Sequence, residues 1–262
     1  MKVLFVGDIF GKPGRNAVRH FVPRLREQHG LDLCIGNSEN VAAGSGMTMD
    51  LADELFASGL DLLTSGNHAW SKREAIPLLK AAHGKQLRPA NYPGDAPGRG
   101  HAVVQTQDGR KLGVLNLEGR VFMKSLDCPF RTAERLLPEL RKETALILVD
   151  MHCEASSEKN AMGHFLDGKV SAVLGTHTHI QTADNRVLAG GTAYTTDVGM
   201  CGPWDSVIGV RKEAAIERML TQRHVPFEPA TREVYLQGAI VDLDDQTGKA
   251  RSILRVQERL PE

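Results

Sequence analysis

The stretch VSAVLGTHTHIQTADN (170–185) places two histidines one residue apart at the end of an apolar run. In an extended segment residues i and i+2 point to the same side, so His177 and His179 are expected to face one point. On a helix the same pair would diverge by about 200°. Paired imidazoles suit a metal ion, and a metal site needs further ligands. Candidates follow other apolar runs: Asp8 in GDIFGKPGR, Glu39 and Asn40 in GNSENVAAGSG, Asn67 and His68 in SGNHAW, and His152 in DMHCE. Each alone has a plainer reading as a turn former, a solvated loop residue or a satisfied core histidine. Their common place just after a strand sets them apart, because sites in open α/β sheets form at the carboxyl ends of strands.

Together these groups have a chemical logic. Two metal ions about 3.5–4 Å apart need a bridging carboxylate and separate N/O ligands on each side. Glu39 is the natural bridge, flanked by Asn40 and close to Asp8. Carboxylates, amides and imidazoles without thiolate suit Fe, Mn or Zn as catalytic ions better than a structural Cys-rich zinc site. Cys153 should point to the opposite face from His152. His20, His29, His83, His101, His164 and His224 are read as structural or surface residues.

The elements that must carry these residues follow an α/β rhythm. Strands are expected at 2–7, 33–36, 60–66, 145–152 and up to Thr176, with helices near 15–29, 49–58, 71–83, 132–142 and 157–166. Pro23 is expected to kink the first helix. Asp108-Gly109 joins two extended runs as a hairpin, and Gln246–Gly248 marks another within a mostly β end. No repeat or linker divides the chain, so residues 1–262 read as a single domain.

Charges balance at 32 basic and 32 acidic residues, which speaks against stable binding of nucleic acid. The apolar start is too short for a signal peptide, no run reaches the length of a membrane span, and the four cysteines show no CxxC pairing. A soluble cytoplasmic protein with reduced thiols is expected.

The motifs GDIFGKPGR, NSENVAAGSGMT, SGNHAWSK and GTHTHIQTADNRVL, with His152 between the last two, occur in the order that characterises a known superfamily. The chain resembles the calcineurin-like metallophosphoesterases, and more closely their YmdB-like bacterial branch, described as cyclic-nucleotide phosphodiesterases. The match runs from about residue 1 to 210. It departs from the superfamily at D-x-H, where Phe10 holds the third position, and at G-D-x-x-D, which reads Gly36-Asn37-Ser38-Glu39-Asn40. Asn40 would then replace the missing histidine ligand.

The resemblance implies a four-layer α/β/β/α sandwich with two mixed sheets. It also implies that Asp8, Glu39, Asn40 and His179 hold one ion, and Glu39, Asn67, His152 and His177 the other.

The expected reaction is hydrolysis of a small phosphodiester, such as a 2′,3′- or 3′,5′-cyclic nucleotide, by hydroxide generated at the metals. His68, next to a ligand but assigned to no metal, is the expected general acid, and Asp8 also stands to orient a neighbouring ligand. The same groups would serve a phosphomonoesterase, or a metal-bound regulatory protein with little turnover. Substrate-binding residues are not legible: loops 91–100 and 121–130 carry no readable code, and Arg15, Arg99, Arg120 and Lys124 read more simply as solvated charges. A homo-oligomer is left open.

Overall fold

The computed structural model describes residues 1–81 and 85–261; His83 and the end of the helix expected over 71–83 lie outside them. The chain begins with β1 (Lys2–Val6), β2 (Asp8–Ile9), α1 (Gly11–His29), β3 (Leu33–Asn37), α2 (Met49–Ala57), β4 (Leu62–Thr64) and α3 (Ala75–Ala81). It continues with β5 (His101–Gln105), β6 (Lys111–Glu118), α4 (Pro129–Glu143), β7 (Ile147–His152), α5 (Ser156–Leu166) and β8 (Ala172–Thr176). The last part holds β9 (Arg186–Val187), β10 (Ala193–Thr195), β11 (Met200–Pro203), α6 (Lys212–Thr221), β12 (Val234–Leu243) and β13 (Ala250–Arg259).

Two mixed sheets result. The first runs β2-β11-β12-β1-β3-β4 with β13 paired to β12, and the second runs β5-β6-β7-β8-β10-β9. Three apolar clusters define four layers. Val3, Phe5, Ile35 and Leu62 of the first sheet meet Leu112, Val114, Leu148 and Leu174 of the second. Leu4, Val6 and Leu63 pack outward on Val18, Val22 and Leu55 of α1 and α2. Val149, Met151 and Val173 pack outward on Leu136, Leu140 and Met162 of α4 and α5.

Alternation along the strands then locates the site. The inward positions of β3 are Leu33, Ile35 and Asn37; of β6, Leu112, Val114, Asn116 and Glu118; of β7, Leu148, Asp150 and His152; of β8, Ala172, Leu174 and Thr176. Each series is apolar at the strand's start and polar at its carboxyl end, and all of these polar residues are buried. The core between the sheets thus turns polar at one rim.

Some expectations need correction. The helix expected from 71 begins at Ala75, since Pro77 is tolerated only in a first turn, and Ser71 instead bonds back to His68. The first helix starts at Gly11, four residues before Arg15, with Pro13 in its first turn. The mostly β end contains α6, which buries only Ala215 and so carries no apolar stripe to read. Among the described residues no helix is long and apolar enough to cross a membrane.

Candidate metal centre

His152, at the last position of β7, is the hub. Its Nε2 lies 3.0 Å from Asn67 Oδ1, 3.1 Å from His177 Nδ1 and 3.2 Å from Glu39 Oε1. Gly66 makes room for the ring: a Cβ there would stand 2.1 Å from the imidazole. Nearby, Asn40 Oδ1 lies 3.3 Å from His179 Nε2, and Asn40 Nδ2 donates to the Gly44 carbonyl, which fixes the amide's direction. Asp8 Oδ2 accepts the His177 backbone N–H at 3.0 Å, while Asp8 Oδ1 is buried with no hydrogen-bond partner. The structure thus brings Asp8, Glu39, Asn40, Asn67, His152, His177 and His179 to one rim.

The outer contacts assign the imidazole protons. His179 Nδ1 lies 2.9 Å from the Ile208 carbonyl, which can only accept, so Nδ1 carries the proton and Nε2 offers a lone pair. The Thr176 hydroxyl donates to Asp150 Oδ1 at 2.7 Å and therefore accepts from His152 Nδ1 at 2.9 Å. His177 Nε2 faces the Glu154 carboxylate at 3.0 Å, leaving Nδ1 with its lone pair inward. Asn67 Oδ1, the His177 Nδ1 lone pair and Glu39 Oε1 thus crowd around His152 Nε2, and beside them His179 Nε2 faces Asn40 Oδ1. That arrangement is repulsive unless a cation stands among them. Donor atoms about 2.1 Å from an ion lie about 3.0–3.4 Å apart in octahedral or tetrahedral sites, as the atoms around His152 do. The residues fit a metal, and Asp150, Thr176 and Glu154 supply outer bonds that would orient His152 and His177 toward it.

Without a metal the surrounding charges favour a protonated His152. Burial alone would lower the His152 pKa, but Glu39, Asp8 and Asp150 overcome it and push it up to about 9. Burial opposes ionisation of Glu39, yet His152 and the His68 backbone N–H hold its carboxyl down at about 2. Burial and the nearby His152 charge push His177 down to about 3, and burial lifts Asp150 to about 6. A metal bound through His152 would have to displace that proton. Apparent metal affinity should therefore rise about tenfold per pH unit toward pH 9 and level off there. Competition with a chelator of known pH dependence measures this; affinity that stays flat between about pH 7 and 9 contradicts it.

The expectation that His177 and His179 share an extended face is corrected. β8 ends at Thr176, and both histidines have positive φ, 95° and 65°. The turn sends His177 toward His152 and His179 toward Asn40. Such backbone is unfavourable for histidine and is held by its surroundings. Asp197 Oδ2 accepts the Thr178 N–H at 3.1 Å and hydroxyl at 2.6 Å, and pairs with Lys159 Nζ at 2.7 Å. Both charges are essentially buried. Lys159→Ala leaves Asp197 unpaired and should cost about 3–5 kcal/mol in urea unfolding of metal-free protein. A loss below about 1 kcal/mol would mean the pair does not secure the turn.

His68 lies beside the cluster. Its N–H donates to Glu39 Oε2 at 3.0 Å, and its Nδ1 lies 3.1 Å from Ser45 Oγ and 3.3 Å from Ser71 Oγ. Cys153 points away, its Sγ 3.2 Å from Glu158 Oε2 within the outer core. Arg15 is tied to Glu54, whereas Lys124 reaches the Asn67 carbonyl at 3.3 Å. Sequence reading missed Asp150, Glu154, Lys159 and Asp197. Asp150 had a signal, since it sits two residues before His152 on the same strand face; Lys159 and Asp197 had none.

Proteins similar to this chain are named phosphodiesterase and phosphatase, and the chain is a hydrolase of phosphoester bonds. A family model described as YmdB-like protein matches residues 4–256. The chain is 45% identical over 256 residues to the 2′,3′-cyclic-nucleotide 2′-phosphodiesterase of Bacillus subtilis, covering 98% of this chain and 96% of that one. Among solved structures, a hypothetical protein from Thermus thermophilus superposes with TM-score 0.93 at 40% identity, covering both chains fully (100%). A novel phosphatase from Mycoplasma pneumoniae does so with TM-score 0.92 at 32% identity, over 99% of this chain and 93% of that one. The chain belongs to the YmdB-like family.

Proposed function

We propose that the chain is a dinuclear-metal phosphodiesterase that opens 2′,3′-cyclic nucleotides. The observation that carries this reading is the crowding of Asn67 Oδ1, His177 Nδ1 and Glu39 Oε1 around His152 Nε2, with His179 and Asn40 paired beside them. One ion would be held by Glu39, Asn67, His152 and His177, and the other by Asp8, Glu39, Asn40 and His179. A hard N/O donor set without thiolate favours Fe or Mn, and Zn is also compatible. Bound ions would lower the pKa of water and offset the charge of the phosphate.

The chain's own residues supply the rest. Glu39 takes its position from the His68 backbone, so the metal-side carboxylate and the acid are built as one unit. Both serine hydroxyls sit on His68 Nδ1, which leaves Nε2 to hold and pass a proton. Water gives up a proton to solvent as its oxygen adds to phosphorus, the bond to O2′ breaks, and His68 delivers its own proton to that oxygen. The product is a 3′-phosphomonoester. The name of the Bacillus subtilis relative specifies the same bond.

The test is Mn²⁺-loaded protein offered adenosine 2′,3′-cyclic phosphate, adenosine 3′,5′-cyclic phosphate, 3′-AMP and p-nitrophenyl phosphate, with products resolved by chromatography. The 2′,3′-cyclic substrate should turn over fastest and yield 3′-AMP. Turnover confined to the monoesters would replace this reading with a phosphomonoesterase.

A further inference from the structure

We propose that Phe122 is the platform on which the nucleobase of the substrate stacks; this rests on the cyclic-nucleotide reading above. Phe122 is 89% exposed, the most exposed of the large hydrophobic side chains among the described residues. Its φ is 61°, a left-handed conformation that a bulky L-residue rarely adopts. An apolar ring in water on strained backbone is doubly unfavourable in the free protein. Strain of this kind gathers where ligands are gripped.

The segment is not loose. It leaves the carboxyl end of β6, and Gly119 N–H donates to the His152 carbonyl at 2.9 Å. The Arg120 and Val121 N–H groups both donate to the Glu158 carboxylate at 3.1 Å. Beyond Phe122, Met123 Sδ accepts the Glu154 N–H at 3.3 Å and Lys124 Nζ reaches the Asn67 carbonyl at 3.3 Å. Glu154 in turn holds His177. The loop is therefore fastened on both sides of Phe122 to the segments that carry His152 and Asn67, and through Glu154 it is linked to His177. Of the large apolar side chains this loop leaves exposed, Val121 at 42% and Phe122 at 89%, Phe122 is the aromatic one, and the loop that carries it is tied to the rim. A cyclic nucleotide held there by its phosphate carries its base one sugar's breadth away. The occupant with that reach and a flat π-face is the base itself, and stacking on Phe tolerates any base, with the larger purines favoured.

The experiment compares adenosine 2′,3′-cyclic phosphate with its base-free counterpart, methyl riboside 2′,3′-cyclic phosphate, on metal-loaded wild type, Phe122→Ala and Phe122→Trp. Stacking predicts that Phe122→Ala lowers the kcat/KM ratio of adenosine to base-free substrate by roughly 5- to 100-fold, mainly through KM. Phe122→Trp should restore the ratio, and the wild-type preference for adenosine over cytidine 2′,3′-cyclic phosphate should shrink in Phe122→Ala. A ratio unchanged by Phe122→Ala overturns the proposal while leaving the cyclic-nucleotide reading intact. So does an equal loss on both substrates, including one that accompanies a change of assembly size on gel filtration. A wild type that turns over neither cyclic substrate removes the reading itself and the Phe122 proposal with it.

Discussion

Glu39→Gln should abolish turnover more completely than replacing any residue that would serve one ion alone. Glu39 is the carboxylate that meets His152 Nε2, its Oε1 3.2 Å away, while Asp8 Oδ1 lies 3.8 Å from Nδ1; the other Glu39 oxygen accepts the His68 N–H. Gln keeps the shape and removes the charge that neutralises the ions. Changing an outer residue such as Thr176 is expected to cost roughly 10- to 100-fold in metal affinity or activity. Glu39→Gln should exceed that range and also lower the metal bound per chain. Asn40→Ala and Asn67→Ala would each remove one neutral candidate ligand and should fall short of it. Turnover measured beside elemental analysis separates these cases. A Glu39→Gln protein that keeps its full metal content and normal rate shows that Glu39 is a loop residue and the site is misdrawn.

His68→Ala should slow hydrolysis of adenosine 2′,3′-cyclic phosphate by about 10²–10⁴-fold, the range typical of general acid–base catalysis. The leaving O2′ is a poor leaving group and needs a proton as the bond to phosphorus breaks. p-Nitrophenolate needs little protonation, so bis-p-nitrophenyl phosphate should suffer much less. Metal content should stay near wild type, because the His68 side chain bonds Ser45 and Ser71 and none of the candidate ligands. Its backbone N–H, which Glu39 uses, survives the substitution. Equal losses on both substrates with reduced metal content would assign His68 to positioning of the Glu39 loop, and the acid role would fall.

How much of this was legible beforehand depended on the range over which each feature is encoded. β7 and β8 could be read because a buried strand is a run of apolar residues, and His152 could be placed because it directly ends one. The Asp108-Gly109 hairpin was equally local and pairs β5 with β6 as expected. The layer arrangement came from motif resemblance, since nothing in a strand's composition says which sheet it joins. The geometry of His177 and His179 escaped alternation because their backbone leaves the strand at Thr176 and is held by Asp8 and Asp197. Those partners are 169 and 19 residues away along the chain, so no window of sequence could present them together. Asp150 is the converse case: its place on the inward face of β7 was written in the alternation, but its partners Thr64 and Thr176 come from two other strands.

The claim that the rim is a dinuclear centre is tested most directly by locating metal in crystals of Mn²⁺-loaded protein through anomalous scattering. The account predicts two peaks, one among Glu39, Asn67, His152 and His177 and one among Asp8, Glu39, Asn40 and His179, with Glu39 touching both. No peak at the rim, or a single ion that leaves Asp8 Oδ1 without a partner, would contradict it.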